Sequence, residues 1–153
     1  MGTFYQIGEV CQRTGLTQRA LHYYDEIGLL VPSERLTGGQ RLYTAADIER
    51  IERIKGLKLM LGLSLSEIKR LLDADEARAR YLNAAETAAD PAGRRKAVES
   101  ALRVTEEQLQ SVREKVQQLG QFQRQLERQV RELRRLAEPA GPPGVPAGMK
   151  GHS

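Results

Sequence analysis

The chain of 153 residues holds a single cysteine, Cys11. One thiol cannot close an internal disulfide, form a Cys-x-x-Cys redox pair or supply a multi-thiolate metal site, so those classes are excluded. Free cysteine packs as a small apolar side chain, and Cys11 is expected to be buried on a first helix. Histidine is almost as scarce, with only His22 and His152, far apart in sequence. No phosphate-cradling glycine loop is present, and the acids fit helix surfaces. No catalytic set can be assembled from these residues, so the chain reads as a non-enzyme with no metal and no cofactor. There is no apolar run long enough to cross a bilayer and no signal-peptide pattern, which points to a bacterial-type cytoplasm.

What is present begins with charge. The net charge is +4 and the pI near 9.4, a mild basicity that suits nucleic acid but is shared by many soluble proteins. Its distribution says more. Residues 1–72 carry 10 Lys and Arg against 8 Asp and Glu, so binding to an anionic partner there depends on placement and not on excess charge. Residues 73–93 hold 2 bases against 5 acids, and residues 94–137 hold 11 against 6.

Residues 5–43 organise the rest. Ile7, Val10 and Cys11 fall at i, i+3 and i+4 and share one face of a first helix. Thr14-Gly15-Leu16 breaks that period, and Gly15 can supply the left-handed backbone of a sharp helix end. Thr17 is a good N-cap for a second helix. In that helix Ala20, Leu21 and Tyr24 point inward, leaving Gln18, Arg19, His22 and Tyr23 outside. Long polar groups and a phenol at the exposed start of a second helix suit base edges and phosphates in a major groove. Thr37-Gly38-Gly39 then turns the chain between Arg35 and Arg41, a ribbon with a cation on each side that can lie along a DNA backbone.

These residues resemble the mercury-resistance-regulator (MerR) family of transcription factors. The matching pieces are Ile7-Gly8-Glu9-Val10, Arg13 to Thr17, Leu21 to Leu30, Arg35 with Gly39 to Tyr43, and Leu61 to Leu72; together they cover roughly the first 72 residues in family order. The His22-Tyr23-Tyr24-Asp25 run with Val31 to Arg35 after it is most similar to the branch that responds to drug-like molecules. His22 stands where most members have arginine, an imidazole in place of a stronger phosphate donor. Metal-sensing and iron–sulfur members carry clustered cysteines near the end of the dimer helix; this chain has none there, so a sensor of that kind is not expected.

After the ribbon, Thr44 can cap a helix through about Met60, with Asp47 at its N3 position. Ile48, Ile51, Ile54 or Lys55, Leu57 or Lys58, and Leu61 follow helical spacing along its inner stripe. Lys55 and Lys58 suit the C-terminal end of its dipole, and either can meet a phosphate or simply solvate the surface. Gly62 ends it, and a short helix capped at Ser64 or Ser66 carries Ile68, Leu71 and Leu72. The resemblance implies that this pair makes a second wing, with Lys58 touching the DNA backbone. Residues 73–90 read as a linker or short helix in which Tyr81 and Leu82 pack.

Asp90-Pro91 is a strong helix start. From there the apolar pattern runs in heptads, with Val98, Leu102, Leu109, Val112, Val116, Leu119, Leu126, Val130 and Leu133 at a or d sites, Ala137 closing the series, and Thr105 and Gln123 as polar members. A helix over 91–138 spans roughly 70 Å at about 1.5 Å per residue. It cannot hide that seam against a 72-residue head, so it needs a partner. A fold-back within the chain or a different protein remain open, but self-pairing is simplest, and the resemblance implies an antiparallel dimer. Phe122 widens the stripe toward the partner's head. Pro139 stops the helix, and residues 139–153, including Lys150 and His152, are expected to form a flexible tail. The effector domain that many drug-responsive members carry after the coiled coil has no counterpart in this sequence.

The expected fold is therefore mainly α: a winged helix-turn-helix DNA-binding head (1–72), a linker or short helix (73–90), and a long coiled-coil dimerisation helix (91–138). The candidate DNA-binding set is Thr17, Gln18, Arg19, His22, Tyr23, Tyr24, Arg35, Gly39, Arg41, Tyr43 and Lys58. Val98 to Leu133 at the seam positions, with Gln123, form the dimerisation set. The expected partners are promoter DNA, a second copy and, by resemblance, RNA polymerase holoenzyme, with room for a small hydrophobic effector; the expected place is the nucleoid. The resemblance implies that the dimer bends and untwists an overlong promoter spacer to activate or repress transcription. Two rival readings are an architectural, excisionase-like DNA-bending protein and an interaction protein whose coil sequesters a related regulator.

Overall fold

A computed structural model describes residues 2–140. Element order is β1 (Tyr5–Gln6), α1 (Ile7–Thr14), α2 (Gln18–Glu26), β2 (Glu34–Arg35), β3 (Arg41–Tyr43), α3 (Ala45–Leu61), α4 (Leu65–Thr87) and α5 (Pro91–Ala137). The mainly helical architecture with a small winged sheet is the one expected. The chain divides into two compact units, Met1–Thr105 and Glu106–Ser153.

The helix ends follow the local chemistry. Gly15 adopts φ +76° and donates its N–H to the Cys11 carbonyl at 2.9 Å, closing α1. Thr17 Oγ1 accepts from the Ala20 N–H at 3.1 Å and opens α2. Thr44 and Asp47 form a reciprocal capping box at the start of α3, and Ser33 adds a hydroxyl donated to Asp47 at 2.6 Å. Gly62 ends α3 at φ +63°. Ser64 and Glu67 repeat the reciprocal cap on α4. Asp90 accepts from the Gly93 N–H at 2.8 Å at the head of α5.

The core of the first unit joins Val10, Leu21, Tyr24, Leu29, Leu30, Tyr43, Ile51, Ile54, Ile68 and Leu72. Each such side chain contributes about 1.5–3 kcal/mol on leaving water. Cys11 packs against this cluster as a partly buried thiol, and burial pushes its pKa up. The α3 stripe ends sooner than its period suggests: Ile51 and Ile54 are buried, Ile48 and Leu57 partly so, but Leu61 is exposed.

Two expectations about elements change. The ribbon is not a lone hairpin. β3 pairs antiparallel with both neighbours, Arg41 opposite Arg35 on one side and Tyr43 opposite Tyr5 on the other, giving the order β1-β3-β2. The second change concerns residues 73–87, which do not form a separate linker: α4 runs unbroken from Leu65 to Thr87. No glycine or proline interrupts that stretch, and its alanines, arginines and glutamates favour helix. Ion pairs also fasten it to α3, Arg53 to Asp75 and Arg50 to Glu76, while Arg78 meets Asp75 at 2.7 Å within α4. Tyr81 and Leu82, expected to pack, are exposed; Ala85 is the buried residue of that turn region. Of the expected tail, residues 141–153 lie outside the described residues.

Candidate nucleic-acid interface

Helix α2 is amphipathic in the way a groove-reading helix must be. Leu21 and Tyr24 hold one face in the core, and the opposite face presents Gln18, Arg19, His22 and Tyr23 to solvent. Among the described residues, none of these four side chains takes a hydrogen bond or ion pair from the protein, so their donors and acceptors are open to an outside partner. Thr17 is committed to the helix cap. The loop after α2 is pinned by Arg50, whose Nε donates to the Leu29 carbonyl at 2.9 Å.

The wing is held from below by one carboxylate. Asp25 Oδ2 accepts from Arg35 Nη2 at 2.5 Å and from Arg41 Nε at 2.9 Å, and its side chain is only 10% exposed. Burial alone would raise the Asp25 pKa, but the hydrogen bonds and attraction of Arg41 and Arg35 outweigh it and hold the carboxyl below its usual range. The turn between the two arginines uses Gly38 and Gly39 at φ +100° and +86°, conformations that a side chain would strain. The Leu36 N–H donates to the Gln40 carbonyl at 2.8 Å, and the Gly39 N–H to Leu36 at 2.9 Å.

Two of the candidate contacts belong elsewhere. Tyr24 and Tyr43 are core residues, 5% and 0% exposed, because aromatic rings at these positions are what the small head buries. Desolvation raises both phenol pKa values, and the Tyr43 hydroxyl has no partner. Lys58 is exposed near the end of α3. Lys55 is partly buried, and its ammonium donates to the Thr14 carbonyl at the end of α1.

On α5 the seam residues lie along one stripe, and Val98, Leu102, Leu109, Val112, Val116, Leu119, Leu126, Val130 and Leu133 are each 44–64% exposed in the single chain. Gln123 donates to Glu127 at 3.1 Å on its own helix, and Thr105 to the Ala101 carbonyl at 2.8 Å.

Residues 5–75 match the MerR HTH family of regulatory proteins. Over 122 residues the chain is 30% identical to the HTH-type transcriptional regulator YfmP of Bacillus subtilis, covering 80% of this chain and 87% of YfmP. The chain belongs to the MerR family. The head is also 48% identical over 69 residues to the HTH-type transcriptional activator TipA of Streptomyces coelicolor, 45% of this chain but 27% of TipA's length. The crystal structure of MtaN, the N-terminus of the Bacillus subtilis multidrug transporter activator, aligns with a TM-score of 0.43 at 31% identity, covering 77% of this chain and 96% of MtaN. Among the described residues no helix is long and apolar enough to cross a membrane.

In this MerR-family head, the residue whose contacts sequence reasoning missed is Asp25. A signal was available. Asp25 and Glu26 sit in the last turn of α2, where the helix dipole disfavours acids and where no basic residue accompanies them. An acid in that place calls for cations from another element, and Arg35 and Arg41 are those cations.

Proposed function

We propose that this MerR-family protein is a homodimeric transcriptional regulator that binds an inverted repeat within a promoter. The observation that carries the reading is the outer face of α2, where Gln18, Arg19, His22 and Tyr23 stand exposed on a helix whose other face is core. Gln18 and Arg19 suit base edges, with His22 beside them, while Tyr23, Arg35, Arg41 and Lys58 suit phosphates; the Gly38-Gly39 turn lets the ribbon come close to the backbone. DNA binding is assigned to residues 1–72 and dimerisation to residues 91–138.

The heptad stripe of α5 supports the dimer. Half-exposed leucines and valines at a 3.5-residue repeat are what two helices cover when they supercoil. A two-fold dimer calls for a two-fold site, hence the palindrome. Members of the family distort an overlong promoter spacer so that polymerase engages both of its elements, and we assign the same action to this chain. Bending and untwisting a site of this length costs several kcal/mol, which numerous backbone contacts can offset. RNA polymerase holoenzyme is then the partner at the promoter, and a small hydrophobic effector is the signal class that suits a regulator without clustered cysteines. The test is DNase footprinting on fragments from upstream of the protein's own gene. Symmetric protection of a palindrome between promoter elements is expected; binding that shows no protected palindrome would overturn the reading.

A further inference from the structure

We propose that Asp25 is the positioning residue of the DNA-binding head, locking the wing arginines to the recognition helix so that phosphate and base contacts fall in register. This deepens the proposed function and rests on it. Both arginines share one carboxylate oxygen, Asp25 Oδ2, although they come from opposite strands of the wing and face each other in the β2–β3 register. Asp25 itself belongs to α2, three residues after His22 and six after Arg19. One side chain thus joins the element that carries the base-reading groups to the element that carries the phosphate-binding groups.

The geometry leaves the arginines usable. Arg41 is engaged through Nε, and Arg35 through one Nη, while each guanidinium carries five N–H donors. Arg35 remains 47% exposed and Arg41 26%. Two cations on one anion still leave a local charge of +1, so the cluster attracts phosphate while its members are held still. The wing needs such a tether: β2 and β3 have two and three residues, too few for independent stability. The lowered Asp25 pKa agrees with a carboxylate that stays charged for this purpose.

Positioning and simple electrostatics predict opposite results, which makes the proposal sharp. Asp25→Asn removes a negative charge from a DNA-facing head. If charge alone counted, the variant should bind every DNA more tightly. If Asp25 positions the arginines, non-specific affinity holds or rises while affinity for the operator falls, lowering the specificity ratio by roughly tenfold to a hundredfold, the range for lost charge-assisted hydrogen bonds. Asp25→Glu, which keeps the charge on a longer stem, should recover part of the ratio. In an Arg35→Ala, Arg41→Ala background the same Asp25→Asn change should cost nothing further, because the groups it acts through are gone.

The experiment measures operator and random-duplex affinities for the unaltered protein and the four variants by fluorescence anisotropy over a salt series, with helicity by circular dichroism as the folding control. Amide hydrogen exchange at Leu36 and Gly39 of the DNA-free protein is read alongside, and Asp25→Asn should speed it. An unchanged specificity ratio, or an equal loss in the arginine-free background, would overturn the proposal. If even the unaltered protein binds no DNA, the proposed function fails, and the wing exchange still decides the clamp: unchanged protection in Asp25→Asn would sink it.

Discussion

Replacing Leu119 and Leu126 together by alanine tests whether α5 pairs with a second copy. The two lie seven residues apart on one stripe, with 57% and 44% of their surface exposed in the single chain. Fully burying a leucine is worth about 1.5–3 kcal/mol, so covering the half still open contributes about 1 kcal/mol at each position. Two positions in each of two copies therefore contribute about 4 kcal/mol to the dimer on that scale. Since every 1.4 kcal/mol is tenfold in affinity, the variant should dissociate at a concentration several hundredfold higher. Alanine is the strongest helix former, so the substitutions leave intrinsic helix propensity intact and act on the seam. Sedimentation velocity from nanomolar to tens of micromolar protein measures the shift directly. Operator binding should become steeper in protein concentration as dimerisation turns limiting. Should the unaltered protein sediment as one chain throughout that range, or the variant match its dissociation constant, pairing through this stripe is wrong.

Four further outcomes are expected. Ile54→Ala, at a fully buried position of α3, should cost about 2–5 kcal/mol in chemical denaturation, and a loss below about 1 kcal/mol would contradict the core described. Tyr43→Phe removes a buried hydroxyl that has no partner, so stability in chemical denaturation should hold or rise, by up to about 1 kcal/mol, with operator affinity unchanged; a selective loss of affinity would restore Tyr43 as a contact. Gly62→Ala forces a side chain onto φ +63° and should destabilise by about 1–2 kcal/mol, a cost that denaturant titration resolves. The Asp25 clamp should show in the pH dependence of stability. Its carboxyl is lowered in the folded state, so its contribution is present above the ordinary value of 3.8 and is lost as pH falls through the lower, folded value. The melting difference between the unaltered protein and Asp25→Asn should therefore be widest at neutral pH and close in acid; a gap that stays constant down to about pH 3 would refute it.

Most of the helical frame was legible because its signals are local. Thr17, Thr44 with Asp47, Ser64 and Asp90 each announce a helix start within three residues, and Gly15 and Gly62 announce an end. The α5 heptads repeat often enough to be read unaided. What was not legible depends on partners far along the chain. β1 has two residues and no pattern of its own; it exists because β3 offers an unpaired edge. Asp25 draws its meaning from arginines 10 and 16 residues away. The extent of α4 was misread because acidic, alanine-rich sequence looks alike in a linker and in a helix until Arg50 and Arg53 supply its cations. Helical spacing already turned Tyr24 inward, whereas Tyr43 carries a hydroxyl that suits phosphate, and only the packing shows that its ring is needed inside.

The pairing of β1 with β3 carries a consequence for how this head responds to change. Tyr5 and Gln6 precede the first helix and are not among the proposed DNA contacts, yet they border the strand that bears Arg41. Tyr5 is in turn stacked under the Arg13 guanidinium of α1, 4.5 Å from its ring centre. Whatever loosens the stretch upstream of Ile7 is therefore passed sideways, through the two residue pairs that join β1 to β3, to a guanidinium more than thirty residues downstream.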